Sequence, residues 1–394
     1  MQVATGASTP SLNQQTKILV LLTSDISSVL VRGQLGYLIS KGFQVEVGTA
    51  VSEISPALFD DGVPVHHLPF VREPSPLRDL KALAATIALI RRVRPDIVNV
   101  STPKAALIGM LAAWMCRVPV RVYIVRGFRF ETMTGRRRRL YVRLEKMIMS
   151  LAHQVLFNSN SLRDVAEATS LIAVGRGLVL GSGSGNGIDL NRFTTSALLD
   201  RASARSAIDV STNARVIGFV GRLTANKGLD DLVHVFADMS RADENLWLVV
   251  AGSEEEGDPI TSATRHLLQT HPRIRILSWV HDSTTLYPAF DVLAFPSYRE
   301  GFPNVPLEAQ ACGVPVVGYA ATGTVDAVRD GVTGILVPVG ARDELQEALN
   351  SVLTDADLQA RLGTAGIAWV RDNFDQRIIW ALLADHYRQW LNQT

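Results

Sequence analysis

Short runs of Val, Ile and Leu alternate with longer stretches of helical periodicity along most of the chain. Runs that are apolar at nearly every position are typical of strands covered on both faces of a parallel sheet. The first half contains six of them, at residues 17–22, 43–47, 63–68, 96–100, 120–125 and 154–157. The second half contains six more, at residues 216–220, 246–250, 274–277, 292–295, 314–317 and 334–337. Strands separated by helices predict an α/β protein made of two doubly wound, Rossmann-like domains.

The join between these domains is predicted at the glycine-rich segment Gly181–Asp189. Because glycine adopts backbone conformations that other residues avoid, the segment is either a plain linker or a hinge whose backbone lies near bound substrates. The predicted domains are residues 17–190 and 191–374, followed by a C-terminal helix within residues 375–394. Residues 1–16 are polar and predict a flexible tail.

Length and composition agree with this organisation. A chain of 394 residues can form two domains that each bury a core. Its 47% hydrophobic and 20% charged residues are those of an ordinary globular protein, and no signal peptide or apolar membrane span is recognised. Cys116 and Cys312 lie far apart in apolar helical patterns, which predicts buried thiols in a reducing, cytoplasmic compartment rather than a disulfide or a metal site.

Charge is unevenly distributed, although the formal net charge is only +1. Basic residues are in excess in the first 200 residues and acidic residues in the remainder. The excess centres on Arg136, Arg137, Arg138 and Arg139, at the start of a predicted helix over residues 135–149. Leu140, Leu144 and Met147 share one face of this helix, which is expected to pack on the sheet. The arginines then form either a solvated edge or a surface for a polyanion such as an anionic membrane or a phosphate-bearing acceptor. Nucleic acid is the weakest alternative, because no nucleic-acid-binding module accompanies the charge.

Candidate chemistry begins with two carboxylates, Glu300 and Glu308, which have seven residues between them. They follow the strand predicted at residues 292–295, and Asn304 is expected to cap a helix that ends at Gly313. A helix N-terminus offers unpaired N–H groups and a positive dipole end to an anion or a sugar oxygen. Two carboxylates around that point suit the hydroxyls of a sugar and of a ribose. The alternative is that Glu308 is a first-turn acid favoured by the dipole and Glu300 a solvated loop charge.

A second candidate is the cation pair Arg222 and Lys227. Both residues follow the strand predicted at 216–220 and precede a predicted helix. Two cations near a helix N-terminus are suited to a diphosphate and to the charge that develops on it as a leaving group. The alternative is a pair of solvated loop cations.

These segments resemble conserved motifs of the retaining glycosyltransferases of family 4, which have the GT-B fold. The paired glutamates and their flanks resemble the Glu-x7-Glu motif of that family, Gly221-Arg222-Leu223 with Lys227-Gly228 is similar to its donor-phosphate motif, and Asp330–Pro338 fits the same pattern. The resemblance implies two Rossmann-like domains that face a cleft, with the donor on the second and the acceptor on the first. It also implies that the helix within residues 375–394 returns to the first domain.

The same resemblance implies roles for the candidate residues. Glu308 would bind the ribose hydroxyls of the donor, and Glu300 would bind the transferred sugar near the developing positive charge. Arg222 and Lys227 would hold the diphosphate in place of a divalent metal, so no metal and no other cofactor is expected. The donor pocket is expected to be completed by backbone groups of Gly221, Phe302, Asn304 and Val305.

Motifs of the first half are looser. Arg32 opens the first predicted helix, Lys104 follows a strand and either binds an acceptor phosphate or is solvated, and Arg126 follows the strand at residues 120–125. Many relatives have a histidine near the position of Arg126, whereas exopolysaccharide transferases often have arginine there. Those enzymes build lipid-linked oligosaccharides at the cytoplasmic face of the cell membrane.

The resemblance therefore implies a retaining transfer from a UDP- or GDP-sugar to a hydroxyl of a polyprenyl-diphosphate-linked acceptor, by a cytoplasmic enzyme that associates peripherally with the membrane. Retention could come from a double displacement, but no first-domain carboxylate is clearly placed for one. The resemblance implies front-face attack instead. Two alternatives are a sugar-nucleotide epimerase of the same fold and a catalytically silent subunit that binds donor or membrane.

Overall fold

The computed structural model describes residues 15–51, 62–71, 75–196, 200–255, 257–278, 280 and 282–393. Most of the predicted tail lies outside these ranges. The strands are β1 Lys17–Leu21, β2 Gln44–Thr49, β3 Val65–His67, β4 Ile97–Val100, β5 Val120–Val125, β6 Gln154–Phe157, β7 Gly177–Val179, β8 Arg215–Val220, β9 Leu246–Ala251, β10 Ile274–Leu277, β11 Val292–Phe295, β12 Val316–Tyr319 and β13 Gly334–Val337.

Fourteen α-helices lie within the described residues. They are α1 Gln34–Ser40, α2 Pro76–Val93, α3 Pro103–Met115, α4 Gly135–Leu151, α5 Asn160–Ala168, α6 Leu190–Ser196, α7 Arg201–Ala207, α8 Leu229–Ala242, α9 Ser262–Thr270, α10 Asn304–Ala311, α11 Thr324–Ala327, α12 Arg342–Thr354, α13 Ala356–Asn373 and α14 Gln376–Leu391.

The strands form two sheets. The first has seven strands in the order β3-β2-β1-β4-β5-β6-β7, and the second has six in the order β10-β9-β8-β11-β12-β13. All pairs in the second sheet are parallel, as are the pairs of β1 with β2 and β4. In both sheets the order reverses at the first strand, and ligands of such folds bind outside the carboxyl ends of the strands near this switch point.

All twelve predicted strands are present, but the first sheet has seven strands rather than six. The missed strand, β7, contains only Gly177, Leu178 and Val179 and pairs in parallel with β6. Three residues that start with glycine carry no periodic signal, so only the pairing with β6 identifies them as a strand.

Backbone contacts divide the chain into two compact units. One unit comprises Met1–Tyr123, Met147–Gln154 and Ala384–Thr394, and the other comprises Ile124–Lys146 and Val155–Leu383. In the first unit, Tyr387 on α14 bonds Asn99 on β4, and its ring lies 6.1 Å from that of Phe43. In the second unit, apolar side chains form two buried clusters against the six-stranded sheet.

The glycine-rich segment Gly181–Asp189 packs closely against the stretch that leads into α14. Ile188 exchanges backbone hydrogen bonds with Phe374 and Gln376, at 2.9 and 3.0 Å. Gly187 has a φ of 68°, and a Cβ there would lie 2.5 Å from Gln376 Cα, so only glycine fits. The segment is therefore held by specific backbone contacts and differs in this respect from a plain linker.

A buried ion pair joins α7 to the start of β11. Asp291 accepts from Arg205 Nη2 at 2.6 Å and from Val216 N at 2.7 Å, while Arg201 Nη1 lies 2.6 Å from its other oxygen. Arg205 is only 3% exposed, and burial lowers the pKa of its guanidinium. Arg205 also donates to the carbonyls of Ala289 and Thr212, so most of its donors have partners.

Candidate functional site

The loop of residues 221–228 follows β8 and leads into α8. Lys227 ends a short 3-10 turn, and Gly228 then caps α8 with a φ of 69°. A Cβ on Gly228 would lie 2.0 Å from the Pro296 carbonyl oxygen. Gly228 therefore allows the start of α8 to pack directly against the segment that leads to Glu300.

Lys227 and Glu300 form an ion pair, because their two loops lie side by side. Lys227 Nζ bonds Glu300 Oε1, and the two side chains are 17% and 14% exposed. Ser297 Oγ donates to the same oxygen at 2.6 Å. The structure thus joins the predicted diphosphate cation to the predicted sugar-binding carboxylate, although they are 73 positions apart in the sequence.

Gly221 and Arg222 lie at the carboxyl end of β8. A Cβ on Gly252, at the end of the neighbouring β9, would lie 1.8 Å from the Gly221 carbonyl oxygen, so the two backbones come very close together. Arg222 is 57% exposed and forms an ion pair with Glu255. Its guanidinium is thus available to an anion that displaces the carboxylate of Glu255.

Helix α10 begins directly after the Glu300 loop. The residue in the N-cap position is Pro303, with an extended backbone, and Asn304 is the first helical residue rather than the cap that we expected from the sequence. Proline fits here because its missing N–H leaves one donor fewer to satisfy. Among the described residues, nothing accepts from the backbone N–H groups of Phe302, Asn304 and Val305. These donors can therefore bind an anion or a sugar oxygen.

Glu308, on the second turn of α10, is half-buried. Tyr287 donates its hydroxyl to Glu308 Oε2 at 2.6 Å, and Ser283 Oγ lies 3.3 Å from the same oxygen. Burial raises the pKa of the Glu308 carboxyl, and the two hydroxyl donors oppose that shift because they stabilise the anion. Glu308 is therefore not the solvated first-turn acid considered as the alternative.

A tyrosine-lined carboxylate supports the loop that begins at Tyr298. Asp231, on the first turn of α8, is buried and accepts from the hydroxyls of Tyr298 at 2.5 Å and Tyr319 at 2.8 Å and from Arg342 Nε at 2.5 Å. Burial and the hydrogen bond to Asp231 raise the pKa of Tyr298 to about 12. Asp231 thereby ties the start of α8 to the loop that carries Glu300.

Arg126 lies against the Glu300 loop within the second unit. A Cβ on Gly301 would be 1.8 Å from the Arg126 carbonyl oxygen, and one on Gly185 would be 2.3 Å from Arg126 Nη1. The Arg126 backbone therefore contacts Gly301, and its guanidinium lies beside the glycine-rich segment. Ser159 Oγ adds a 2.7 Å hydrogen bond to the Gly301 carbonyl.

Glu131 is a candidate residue that the sequence did not single out. It accepts from Thr322 Oγ1 at 2.9 Å, and the Thr322 carbonyl accepts from Glu300 N at 2.9 Å. Its other oxygen, Oε1, is buried and receives no hydrogen bond from the described residues. Burial raises the pKa of the Glu131 carboxyl. In the sequence, Glu131 stands out only as an acidic residue within a basic, aromatic stretch.

Arg32 and Lys104 lie in the first unit. Arg32 is exposed. Lys104 Nζ forms hydrogen bonds of 2.8 Å to both oxygens of Asp79, and its side chain is 11% exposed. Lys104 is thus a paired cation rather than a solvated one.

Helix α4 confirms the helix predicted around Arg136–Arg139, but its buried face differs from the prediction. Leu140 and Met147, which we expected to pack on the sheet, are 55% and 41% exposed, whereas Ile148 and Met149 are buried. Only the last turns of α4 reach the core, so the face of its first turns stays in solvent. All four arginines are exposed, and Arg138 lies 5.6 Å from the ring of Phe130.

Chemically, the second unit combines two cations, two carboxylates and unpaired amide donors at the carboxyl ends of β8 and β11. Such a set can bind an anionic diphosphate and two groups of hydroxyls. Within the described residues, no three His, Cys, Asp or Glu side chains gather in a way that could hold a metal ion. His281, noted in the sequence near the possible base pocket, lies outside the described residues.

Comparison with known proteins identifies the family of the chain. The model of the group 1 glycosyl transferases matches residues 200–369, and that of the glycosyl transferase 4-like domain matches residues 28–181. The chain is 34% identical to the capsular polysaccharide biosynthesis glycosyltransferase CapM of Staphylococcus aureus, over 96% of this chain and 98% of that protein.

Solved structures show the same fold. Anabaena HepE in complex with UDP and glucose superposes with a TM-score of 0.77 at 22% identity, over 95% of this chain and 100% of that one. Sucrose-phosphate synthase from Thermosynechococcus elongatus superposes with a TM-score of 0.79 at 20% identity, over 96% and 100% of the two chains.

The two parallel sheets and these superpositions define the GT-B fold of sugar transferases. The chain belongs to the group 1 glycosyltransferases, with a glycosyl transferase 4-like domain in its first half.

Proposed function

We propose that this glycosyltransferase moves a sugar, with retention of the anomeric configuration, from a UDP- or GDP-sugar to a hydroxyl of a polyprenyl-diphosphate-linked acceptor. The observation that carries the proposal is the Lys227–Glu300 ion pair beside the free amides of α10. UDP and glucose in the HepE complex, and capsular polysaccharide synthesis by the CapM relative, support the donor and the product class.

In this proposal Arg222 and Lys227 bind the donor diphosphate and stabilise the charge that forms on it as the glycosyl bond breaks. Lys227 then exchanges part of its bond to Glu300 for a phosphate oxygen. Glu300 binds hydroxyls of the transferred sugar near the developing oxocarbenium charge, and Glu308 binds the ribose. The amides of Phe302, Asn304 and Val305, with the Gly221 backbone, complete the pocket.

Retention requires either a double displacement or front-face attack. We favour front-face attack, in which the leaving phosphate accepts the proton of the acceptor hydroxyl. The Arg126 backbone lies against Gly301, and we propose that its guanidinium, which lies beside Gly185, adds positive charge near the reacting sugar. Arg32 and Lys104, in the first unit, are proposed to face the acceptor; Lys104 would bind a phosphate only by leaving Asp79.

A panel of sugar nucleotides tests the donor class. A ligand that binds only the folded state raises the melting midpoint in proportion to the logarithm of its concentration over Kd. UDP- or GDP-sugars are expected to raise the midpoint and the corresponding free sugars to leave it unchanged. Equal stabilisation by free sugars, or none by any nucleotide, would contradict a nucleotide-sugar site.

Glu308→Gln is expected to weaken nucleotide binding more than it weakens folding. A carboxylate that accepts ribose hydroxyls contributes about 1.5–3 kcal/mol through charge-assisted hydrogen bonds, so the Kd for UDP or GDP should rise at least about tenfold. Isothermal titration calorimetry measures this change. Glu344→Gln, on the exposed first turn of α12, is the control and should bind like the parent. Unchanged affinity in Glu308→Gln would leave Glu308 with a structural role only.

Transfer is expected to continue in the presence of a chelator, because Arg222 and Lys227 supply the positive charge that a metal would otherwise provide. The measurement is the rate of nucleotide release with acceptor, before and after treatment with EDTA. Abolished transfer that Mg²⁺ or Mn²⁺ restores would show that the reaction needs a metal.

Helix α4 is proposed to bind an anionic membrane surface near the acceptor. Arg136 to Arg139 and the exposed Leu140 and Met147 offer both charge and apolar contact along this helix. No helix among the described residues is long and apolar enough to cross a membrane.

Sedimentation with vesicles tests this surface. Each arginine near an anionic surface contributes about 1 kcal/mol, so the protein should bind phosphatidylglycerol vesicles at low salt and not phosphatidylcholine vesicles. Changing Arg136–Arg139 to serine should abolish this binding. The matched control changes Arg241, Arg361, Arg371 and Arg377, which are exposed in the second unit, to serine. If both variants bind equally, or if the parent does not bind at low salt, α4 is not a membrane surface.

A further inference from the structure

Tyr287 is a completely buried tyrosine whose hydroxyl points at a carboxylate of the donor site. Its ring lies 6.1 Å from that of Phe193 and 6.0 Å from that of Phe290, both in edge-on geometry. All three aromatic rings are at most 4% exposed, so neighbouring side chains restrict the position of the hydroxyl. Burial raises the pKa of Tyr287 well above its ordinary value, and the hydroxyl therefore remains a donor at neutral pH.

Both hydrogen bonds from the protein end on one oxygen of Glu308. Tyr287 and Ser283 reach Oε2, whereas no described residue donates to Oε1. Tyr287 and Ser283 belong to two consecutive 3-10 turns, Ser283–Thr285 and Tyr287–Ala289, which precede β11. The carboxylate is thus fixed at Oε2, whereas Oε1 receives no hydrogen bond from the described residues.

Two charged residues also affect the pKa of Glu308. Arg192 on α6 favours the anion and Asp282 opposes it, and these two residues form an ion pair of 2.9 Å with each other. Their effects on Glu308 therefore oppose each other in part. Cys312 lies near Tyr287 and donates its thiol to the Phe193 carbonyl. The hydroxyls of Tyr287 and Ser283 are the groups that donate directly to the Glu308 carboxylate, and both favour its anion.

We propose that Tyr287, together with Ser283, is a positioning residue of the donor site, which fixes Glu308 Oε2 so that Oε1 is presented to the ribose hydroxyls. This inference rests on the proposed role of Glu308 in binding a nucleotide. Neither residue needs to touch the ligand. Loss of the Tyr287 hydroxyl would let the carboxylate rotate and would favour its protonated form.

Binding of a nucleoside diphosphate and its 2′-deoxy and 3′-deoxy forms tests the inference in Tyr287→Phe. The parent should bind UDP, or GDP, about tenfold more tightly than a form that lacks a ribose hydroxyl. In Tyr287→Phe this preference should shrink at least about threefold. As the pH is lowered, the affinity for the full nucleotide should also begin to fall at a higher pH in Tyr287→Phe than in the parent. The reason is that the Glu308 carboxyl loses a donor that favours its anion.

Tyr387→Phe is the matched control, since Tyr387 is equally buried and its hydroxyl bonds Asn99 within the first unit. It should keep the parent's preference for the ribose hydroxyls and the parent's pH dependence. A folded Tyr287→Phe with an unchanged preference would overturn this inference and leave the proposed function intact. If Tyr287→Phe does not fold, Ser283→Ala is judged by the same preference. A parent that binds neither nucleotide would overturn the proposed function as well.

Discussion

Replacing Lys227 with alanine is expected to lower the rate of sugar transfer by about 10²-fold or more, the effect of removing one preorganised charge-stabilising group. Lys227 is the ion-pair partner of Glu300 and is mostly shielded from water, so its charge acts in a region of low dielectric. Its loss also leaves the Glu300 carboxylate with Ser297 as its remaining side-chain donor. Both consequences are greatest when negative charge develops on the leaving diphosphate.

Initial rates of nucleotide release with saturating donor and acceptor measure this effect. Arg222→Ala should lower the rate to a similar extent, because its guanidinium leaves Glu255 for the diphosphate in the proposed complex. Arg241→Ala, an exposed arginine on α8 of the same unit, should retain the parent rate. Normal rates in both Lys227→Ala and Arg222→Ala would contradict the assignment of these cations to the diphosphate.

Among the substitutions discussed, Asp291→Ala is expected to lower the free energy of unfolding the most. Removing one partner of a buried ion pair costs about 3–5 kcal/mol, because the other charge is left without compensation. Here the uncompensated group is Arg205, and the Val216 N–H loses its acceptor as well. For a unit of this size the melting midpoint should fall by roughly 10 °C.

Differential scanning calorimetry of the parent and of two variants measures the shift. Asp238→Ala removes the partner of Arg241 in an exposed pair, whose side chains are 58% and 78% exposed. Exposed pairs contribute about 0–1 kcal/mol, so this control should melt close to the parent. If Asp291→Ala and Asp238→Ala melt at the same temperature, the buried pair does not stabilise the second unit.

The fold followed from the sequence because buried parallel strands are continuous apolar runs. Residues 292–295, for example, are all buried and form β11 as predicted. β7 was missed because three residues with an initial glycine carry no such signal. The apolar face of α4 was assigned wrongly for a related reason. Helical spacing identifies which residues share a face, but it does not show that the first turns project beyond the core and leave Leu140 in solvent.

The candidate site residues were proposed from short local segments. Glu300, Glu308 and Lys227 each follow a predicted strand and fit the family resemblance, and their roles remain predictions. Tyr287 was not proposed, because an aromatic residue within an apolar run is indistinguishable from a core residue until its hydroxyl is located.

Contacts between segments that are distant in the sequence could not be predicted from the sequence either. The Asp326 carboxylate accepts from the backbone N–H groups of Asn160 and Ser161 across about 165 positions, and Glu131 reaches Thr322 across 191. No local spacing or periodicity encodes such pairs, so only the folded chain shows them.

The proposed reaction is the retaining transfer of a sugar from a nucleotide donor to an acceptor. The most direct test incubates the purified protein with an α-linked UDP- or GDP-sugar and a polyprenyl-diphosphate-linked sugar, and determines the anomeric configuration of the product by NMR. We expect an α-linked product that forms together with free nucleoside diphosphate and only when acceptor is present. A β-linked product, or conversion of the donor without acceptor, would contradict it.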